Sequence, residues 1–348
     1  MRILIAEDDE ALAKFVRQGL EGEHYTVDIF PDGEQARSAA TENDYDVVIL
    51  DLNLPKLDGV SVLRYLRLKK PSLPVLVLTQ RTRVEDKVQC LDTGADDYVP
   101  KQMSANSLDI HHIREDLIAK IRAAAQSRNP GSPGAHKKPP RSSSSEFADA
   151  MPASPAVIAL GASTGGPKAL QEILPLLPRD LSVPILIVQH MPVGFTGPFA
   201  QRLNSLCSVE VREAVHDEYI LPGVVYIAPA GIHMTVQRFS DSRAIITLDR
   251  HPEKHLHIPS VDVMMKSVAK NFRNLAMGVI LTGMGADGAE GMNAIRQQGG
   301  HTVGQDEVSC TVYGMPRACA ELGALARVVP LLQIPDQILQ ATRVRRPA

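Results

Sequence analysis

Ala156-Val157-Ile158-Ala159-Leu160-Gly161-Ala162-Ser163-Thr164-Gly165-Gly166-Pro167 is the stretch on which the reading of this chain turns. Ala156 to Leu160 is an uninterrupted apolar run, which suits a strand buried on both faces. Lys168 to Leu174 then places apolar residues at helical spacing. Strand, glycine-rich turn and helix in succession are one unit of an α/β sheet. A serine between glycines at such a turn suits a nucleophile. The glycines let the turn tighten, and the following helix offers N–H groups to a developing oxyanion. A phosphate-cradling loop or a plain glycine turn would look similar from this stretch alone.

Working outward, residues 127 to 155 change character. Fifteen of these 29 residues are Ser, Pro or Gly, too little apolar surface to offset the entropy of ordering. The chain therefore reads as a domain over 1–126, a flexible linker over 127–154 and a second domain over 155–345. The whole is 348 residues with formal net charge -3. That balance gives no electrostatic case for nucleic acid or for a membrane surface. No apolar run is long enough to span a bilayer. Acid at Glu7 interrupts any leader-like N-terminus. Four cysteines without a CxxC pair fit a reduced, cytoplasmic protein.

The first domain alternates strand and helix signals. Ile3–Ala6, Val47–Leu50 and Val75–Leu78 are apolar runs, with weaker candidates at Thr26–Ile29 and Asp97–Val99. Helical patterns fall near 10–20, 33–41, 59–68, 84–92 and 113–125. This predicts a doubly wound α/β domain with its working groups at the C-terminal strand ends. Those ends carry Glu7-Asp8-Asp9, Asp51 with Asn53, Thr79 and Lys101. Clustered carboxylates want a hard cation such as Mg²⁺. A carboxylate beside such a cation and a lysine can accept a phosphoryl group.

These residues give the first 125 positions a resemblance to response-regulator receiver domains. It rests on Asp8-Asp9, Asp51 before Leu54-Pro55-Lys56-Leu57-Asp58-Gly59, Thr79, Gly94-Ala95-Asp96-Asp97-Tyr98, and Lys101. The resemblance implies a flavodoxin-like fold, phosphorylation at Asp51, and Mg²⁺ held by Asp8, Asp9, Asp51 and Asn53. It also implies a switch formed by Thr79, Tyr98 and Lys101. Gln80 and Gln102 depart from the family pattern.

In the second domain, His190 follows the apolar run Ile185–Val188, and Asp287 follows Met277–Leu281 in a glycine-rich turn. Three strand ends thus present Ser163, His190 and Asp287, the composition of a nucleophile, base and orienting carboxylate. Their chain order differs from Ser-Asp-His, so the α/β-hydrolase fold is not the natural assignment.

Residues 155 to about 345 resemble the catalytic domain of chemotaxis protein-glutamate methylesterases. The matches are Gly161–Pro167, Gln189-His190-Met191-Pro192, Gly194-Phe195-Thr196, Pro259-Ser260-Val261-Asp262-Val263 and Leu281–Gly288. The resemblance implies a Rossmann-like parallel-sheet esterase domain, Ser163, His190 and Asp287 as the triad, and the backbone N–H groups of Thr164 and Met284 as oxyanion donors. It implies a phosphorylation-activated hydrolase acting on glutamate methyl esters of methyl-accepting chemoreceptors. Glutamine deamidation would follow by the same acyl transfer. A chemotaxis histidine kinase is the implied phosphodonor, and no cofactor is implied at the esterase site.

Three alternatives are set beside this reading. The receiver's style also suits a DNA-binding regulator, but the length of the second half argues against one. A degenerate protein that only binds receptors or a kinase is disfavoured by the intact triad residues. His251, His255 and His257 crowd one loop, so zinc has to be considered. The resemblance places that loop beside the esterase site instead.

Overall fold

Short runs of Val, Ile and Leu form the centre of two parallel sheets in a computed structural model of the chain. The structure describes residues 1–71, 73–79, 93–95, 97–101, 121, 154–240, 243–252, 255 and 257–342. The first sheet is built from β1 (Arg2–Ala6), β2 (Thr26–Phe30), β3 (Val47–Asp51), β4 (Val75–Thr79) and β5 (Asp97–Pro100). Their order is β2-β1-β3-β4-β5, with every pairing parallel. This is the flavodoxin-like order, whose switch point lies between β1 and β3. Three helices connect the early strands: α1 (Glu10–Glu21), α2 (Gly33–Glu42) and α3 (Gly59–Lys69). Each is started by an aspartate that accepts from a first-turn N–H, respectively Asp9, Asp32 and Asp58, which satisfies an otherwise orphaned donor. Ile3 and Ile5 pack toward Val16 and Leu20 of α1, and Leu4 and Ala6 face the other layer with α2 and α3. The helical patterns near 84–92 and 113–125, apart from residue 121, and the linker up to residue 153 lie outside the described residues.

The second sheet has seven strands: β6 (Val157–Ala162), β7 (Ile185–Gln189), β8 (Glu210–Glu213), β9 (Val224–Ile227), β12 (Ala276–Ile280), β13 (His301–Gln305) and β14 (Arg327–Val329). Their order is β14-β13-β12-β6-β7-β9-β8, again parallel throughout. Every residue of β6, β7 and β12 is buried, as apolar runs covered by helices on both faces require. One face carries α4 (Gly166–Ile173), α5 (Thr196–Leu206) and α9 (Ile334–Thr342) against Ile158, Leu160 and Ile187. The other carries α6 (Val261–Phe272), α7 (Ala289–Gln297) and α8 (Met315–Glu321) against Val157, Ala159 and Val188. The two α/β domains expected from the sequence are therefore present.

One element departs from a purely parallel plan. β10 (His233–Ser240) and β11 (Arg243–Asp249) form an antiparallel hairpin apart from the main sheet. Met234, Val236, Ala244 and Ile246 are buried while Thr235, Gln237, Arg243, Ile245 and Thr247 are partly or fully open, the alternation of a ribbon with one covered face. It packs on α6, so it buttresses the helix whose first turn reaches the site described next.

Candidate active site

β6 delivers Ser163 to the crevice at which connections leave the sheet in opposite directions, toward β7 on one side and β12 on the other. That switch point is where open α/β sheets place ligands. The turn after Ser163 depends on its glycines. Gly165 has φ +78°, and a Cβ there would lie 2.4 Å from Thr311 Oγ1. The Ser163 N–H donates to Thr282 O at 3.0 Å, which ties the Ser163 turn to the loop after β12.

β7 pairs Gln189 with Ala162, so His190 emerges directly beside Ser163 in the register. Its Nε2 lies 2.9 Å from Asp287 Oδ2. The carboxylate is fully engaged: Oδ2 also accepts from Val261 N–H at 2.7 Å, and Oδ1 accepts from Ser260 Oγ at 2.8 Å and Asp262 N–H at 2.9 Å. Those donors are the N-cap and first residues of α6, where the helix dipole favours an anion. Burial alone would raise the Asp287 carboxyl; the bond and charge of His190 and the two N–H groups outweigh it and hold the group well below the usual carboxylate range. The other ring nitrogen of His190, Nδ1, is buried and has no hydrogen-bond partner among the described residues. With Nε2 committed to Asp287, Nδ1 is the nitrogen free to act as a base. The sheet thus brings Ser163, His190 and Asp287 to one crevice.

Two backbone donors on the adjoining turns are unengaged: among the described residues neither the Thr164 N–H nor the Met284 N–H is engaged by a protein acceptor. The Gly283 carbonyl accepts from Gly314 N–H at 3.0 Å and Met315 N–H at 2.8 Å. A planar peptide points its C=O and N–H in opposite directions, so this anchoring turns the Met284 N–H away from α8. Position 283 has no room for a side chain, since a Cβ would lie 2.8 Å from Ser163 Cβ.

The histidine-rich loop is part of this centre. His257 stacks on His190 with ring centroids 4.1 Å apart, and His255 meets His233 edge-on at 5.5 Å. Among the described residues no histidine joins a group spaced to hold a metal. The sequence did not single out Ser260 or His257 as site residues; both reach the site only through the packing of α6 and its preceding loop. Cys310 and Cys319 are buried, and burial pushes the Cys319 thiol up to about 12.

The acid pocket of the first sheet gathers carboxylates from two strand ends. Ligand oxygens of Glu7, Asp8 and Asp51 lie within 4.8 Å of one another. The Asp9 carboxylate, which the sequence also offers as a metal ligand, caps α1, accepting from Ala11 N–H at 2.9 Å and Leu12 N–H at 3.1 Å. Past the end of β1 the chain turns into α1, which leaves Glu7 buried in the pocket and Asp9 at the helix start. Lys101 Nζ sits 2.8 Å from Asp51 Oδ2 and 2.7 Å from Glu7, with all three side chains buried. Burial pushes the Glu7 carboxyl up against the lowering effect of Lys101. The Lys101 ammonium is itself raised, because its two carboxylate partners outweigh burial. Three clustered carboxylate oxygens are the donor set Mg²⁺ prefers, so the cluster is compatible with that ion. Asn53 stands exposed beside it, its N–H donating to Asp51 Oδ1 at 3.2 Å. Thr79 ends β4 and Tyr98 lies within β5; their side chains, with Gln80 and Gln102, lie outside the described residues.

Comparison with known proteins agrees with both halves. A family model described as CheB methylesterase matches residues 158–338, and one described as response regulator receiver domain matches 3–112. A protein-glutamate methylesterase/protein-glutamine glutaminase of Symbiobacterium thermophilum is 38% identical, with 98% of this chain and 97% of the relative covered. One of Archaeoglobus fulgidus is 36% identical, with 99% of each covered. The crystal structure of the Thermotoga maritima CheB methylesterase catalytic domain is 36% identical, with a TM-score of 0.52, over 54% of this chain and 98% of that one. No helix among the described residues is long and apolar enough to cross a membrane.

Proposed function

The chain belongs to the CheB methylesterase family, and from that premise we propose that it hydrolyses glutamate methyl esters on chemoreceptors under the control of its receiver. The observation that carries the reading is the His190–Asp287 pair at 2.9 Å, with Nδ1 of the same imidazole buried and unpaired among the described residues, beside the Ser163 turn. Ser163 Oγ attacks the ester carbonyl while His190 takes its proton at Nδ1. The fully hydrogen-bonded Asp287 carboxylate fixes the tautomer and stabilises the imidazolium. The oxyanion is held by the N–H groups of Thr164 and Met284. His190 returns the proton to the departing methanol, and a water activated at the same nitrogen then hydrolyses the acyl-serine. A glutamine side chain would follow the same path with ammonia leaving, which is the second activity in the relatives' printed names.

Regulation is assigned to the receiver, with domain limits of 1–126 and 155–345 joined by the linker 127–154. Asp51 accepts the phosphoryl group from a chemotaxis histidine kinase, with Glu7, Asp8 and Asp51 holding Mg²⁺, which would neutralise charge on the phosphoryl oxygens. Lys101, already bonded to Asp51, would report the change, together with Thr79 and Tyr98 as the remaining switch positions. A cytoplasmic location belongs to the same reading. The test is methanol release from methylated chemoreceptor, with and without a small phosphodonor. Release that depends on Ser163 and rises with phosphodonor is expected. No release from the phosphorylated protein would overturn the assignment.

A further inference from the structure

We propose that Gln189 is a positioning residue of the esterase centre, locking the Ser163–Thr164 peptide so that the Thr164 N–H is aimed at the oxyanion. The inference rests on the reading of Ser163 as the nucleophile. Gln189 ends β7 and is almost fully buried. Its Nε2 donates to Ser163 O at 2.9 Å and to His190 O at 3.0 Å. Both partners are carbonyls, so the amide must present nitrogen to them, and its orientation is fixed by chemistry. Gly166 N–H donates to the same Ser163 carbonyl at 2.8 Å. Two donors pin that C=O on one side, and peptide planarity sends the Thr164 N–H to the other. One side chain thereby joins the nucleophile turn to the segment carrying the base.

Two features mark this amide as retained for its donors. Its Oε1 is buried without a partner among the described residues, a cost that an apolar side chain of similar size would avoid. Position 166 is also closed to a side chain, since a Cβ there would lie 2.0 Å from that same oxygen. The turn continues through adjacent glycines, Gly165 and Gly166, so no side chain there braces the Ser163–Thr164 peptide. Gln189 holds that peptide from outside the turn.

The test uses the full-length protein, a small activated ester as substrate and phenylboronic acid as a mimic of the tetrahedral intermediate. Gln189→Met keeps the volume and removes both donations. Gln189→Glu turns carboxylate oxygen toward two carbonyls and should be worse. We expect kcat to fall about 10- to 100-fold, part of the loss known for deleting an oxyanion donor, with KM changed by less than about threefold. Boronate affinity should fall by the same factor as kcat/KM. A merely structural role would lower the melting temperature without that match. Wild-type kcat in folded variants, or a kcat loss with unchanged boronate affinity, would overturn the proposal. Should both variants fail to fold, the wild-type protein answers by NMR: the Gln189 side-chain amide protons must be protected, and exchange at the free-amide rate refutes the clamp. A wild-type protein that neither cleaves the ester nor binds the boronate refutes the serine reading itself, and this inference falls with it.

Discussion

Asp287→Asn perturbs the site where most of its hydrogen bonds converge. The carboxylate receives four donors, two on each oxygen, and an amide has one oxygen to offer. If its nitrogen takes the Oδ1 side, the Ser260 hydroxyl can rotate to accept, but the Asp262 N–H is left facing a donor. If it takes the Oδ2 side, the Val261 N–H loses its acceptor, and His190 Nε2 can accept only by moving its proton to Nδ1. Either way one buried N–H is orphaned, at a cost of about 1–3 kcal/mol of stability. The second orientation also occupies the nitrogen assigned as base, and both remove the charge that stabilises the imidazolium. Together these predict a fall of about ten-thousand-fold in kcat, the scale seen when a triad carboxylate becomes an amide.

The stability difference carries its own pH signature. The Asp287 carboxyl is held below its ordinary 3.8 in the folded protein. A depressed acid contributes fully above its unfolded value and loses its contribution as pH falls through the folded value. The wild-type advantage over Asp287→Asn should therefore be level above about pH 4 and shrink below it. Urea unfolding at pH 7, 5 and 3 together with ester-hydrolysis kinetics supply both readouts. A variant within tenfold of wild-type kcat, or an advantage that grows as pH falls, would refute the reasoning.

Ser163→Ala should fold normally and lose ester hydrolysis by several orders of magnitude; methanol release near the wild-type rate would exclude the serine mechanism. Lys101→Met leaves the buried Glu7 and Asp51 carboxylates without their cation, which should destabilise the receiver by about 3 kcal/mol or more and abolish activation by a phosphodonor; chemical denaturation and a stimulated methanol-release assay check the two effects. Chelation of divalent cations should stop phosphoryl transfer to Asp51 while leaving basal esterase activity unchanged, measured by phosphate incorporation beside ester turnover. Cys310 and Cys319, buried with raised thiol values, should resist iodoacetamide at pH 8 in the native protein and react on unfolding, as peptide mass spectrometry would show.

What the sequence made legible was local. The buried strands of both sheets announce themselves as apolar runs, and Ser163, His190 and Asp287 stand directly after three of them or in the turn beyond. The register that sets them together, β12 beside β6 beside β7, needed only the rule that parallel strands gather their ends at one edge. What stayed hidden was side-chain direction and distant packing. The run Glu7-Asp8-Asp9 offers three acids, and only the twist of chain past β1 decides that Glu7 enters the pocket and Asp9 caps a helix. The cap could have been read, because an aspartate ahead of a helical pattern is a start signal. The hairpin β10–β11 shows period-two burial but has no tight two-residue glycine turn to flag it. His257 stacking on His190, Ser260 holding Asp287 and Gln189 holding the Ser163 carbonyl are contacts between segments apart in sequence, which no local pattern encodes.

The separation of Asp287 from His190 by 97 positions sets the moment at which this chain can first become an enzyme. A ribosome adding roughly 5–20 residues per second finishes the nucleophile turn and the base loop several seconds before the orienting carboxylate is made. Until β12 is synthesised and seats beside β6, pairing Ile280 with Gly161, the growing chain carries a serine and a histidine with no anion behind them. On the proposed mechanism the three groups come together only with the closing of the central sheet, and hydrolytic competence should arrive with it.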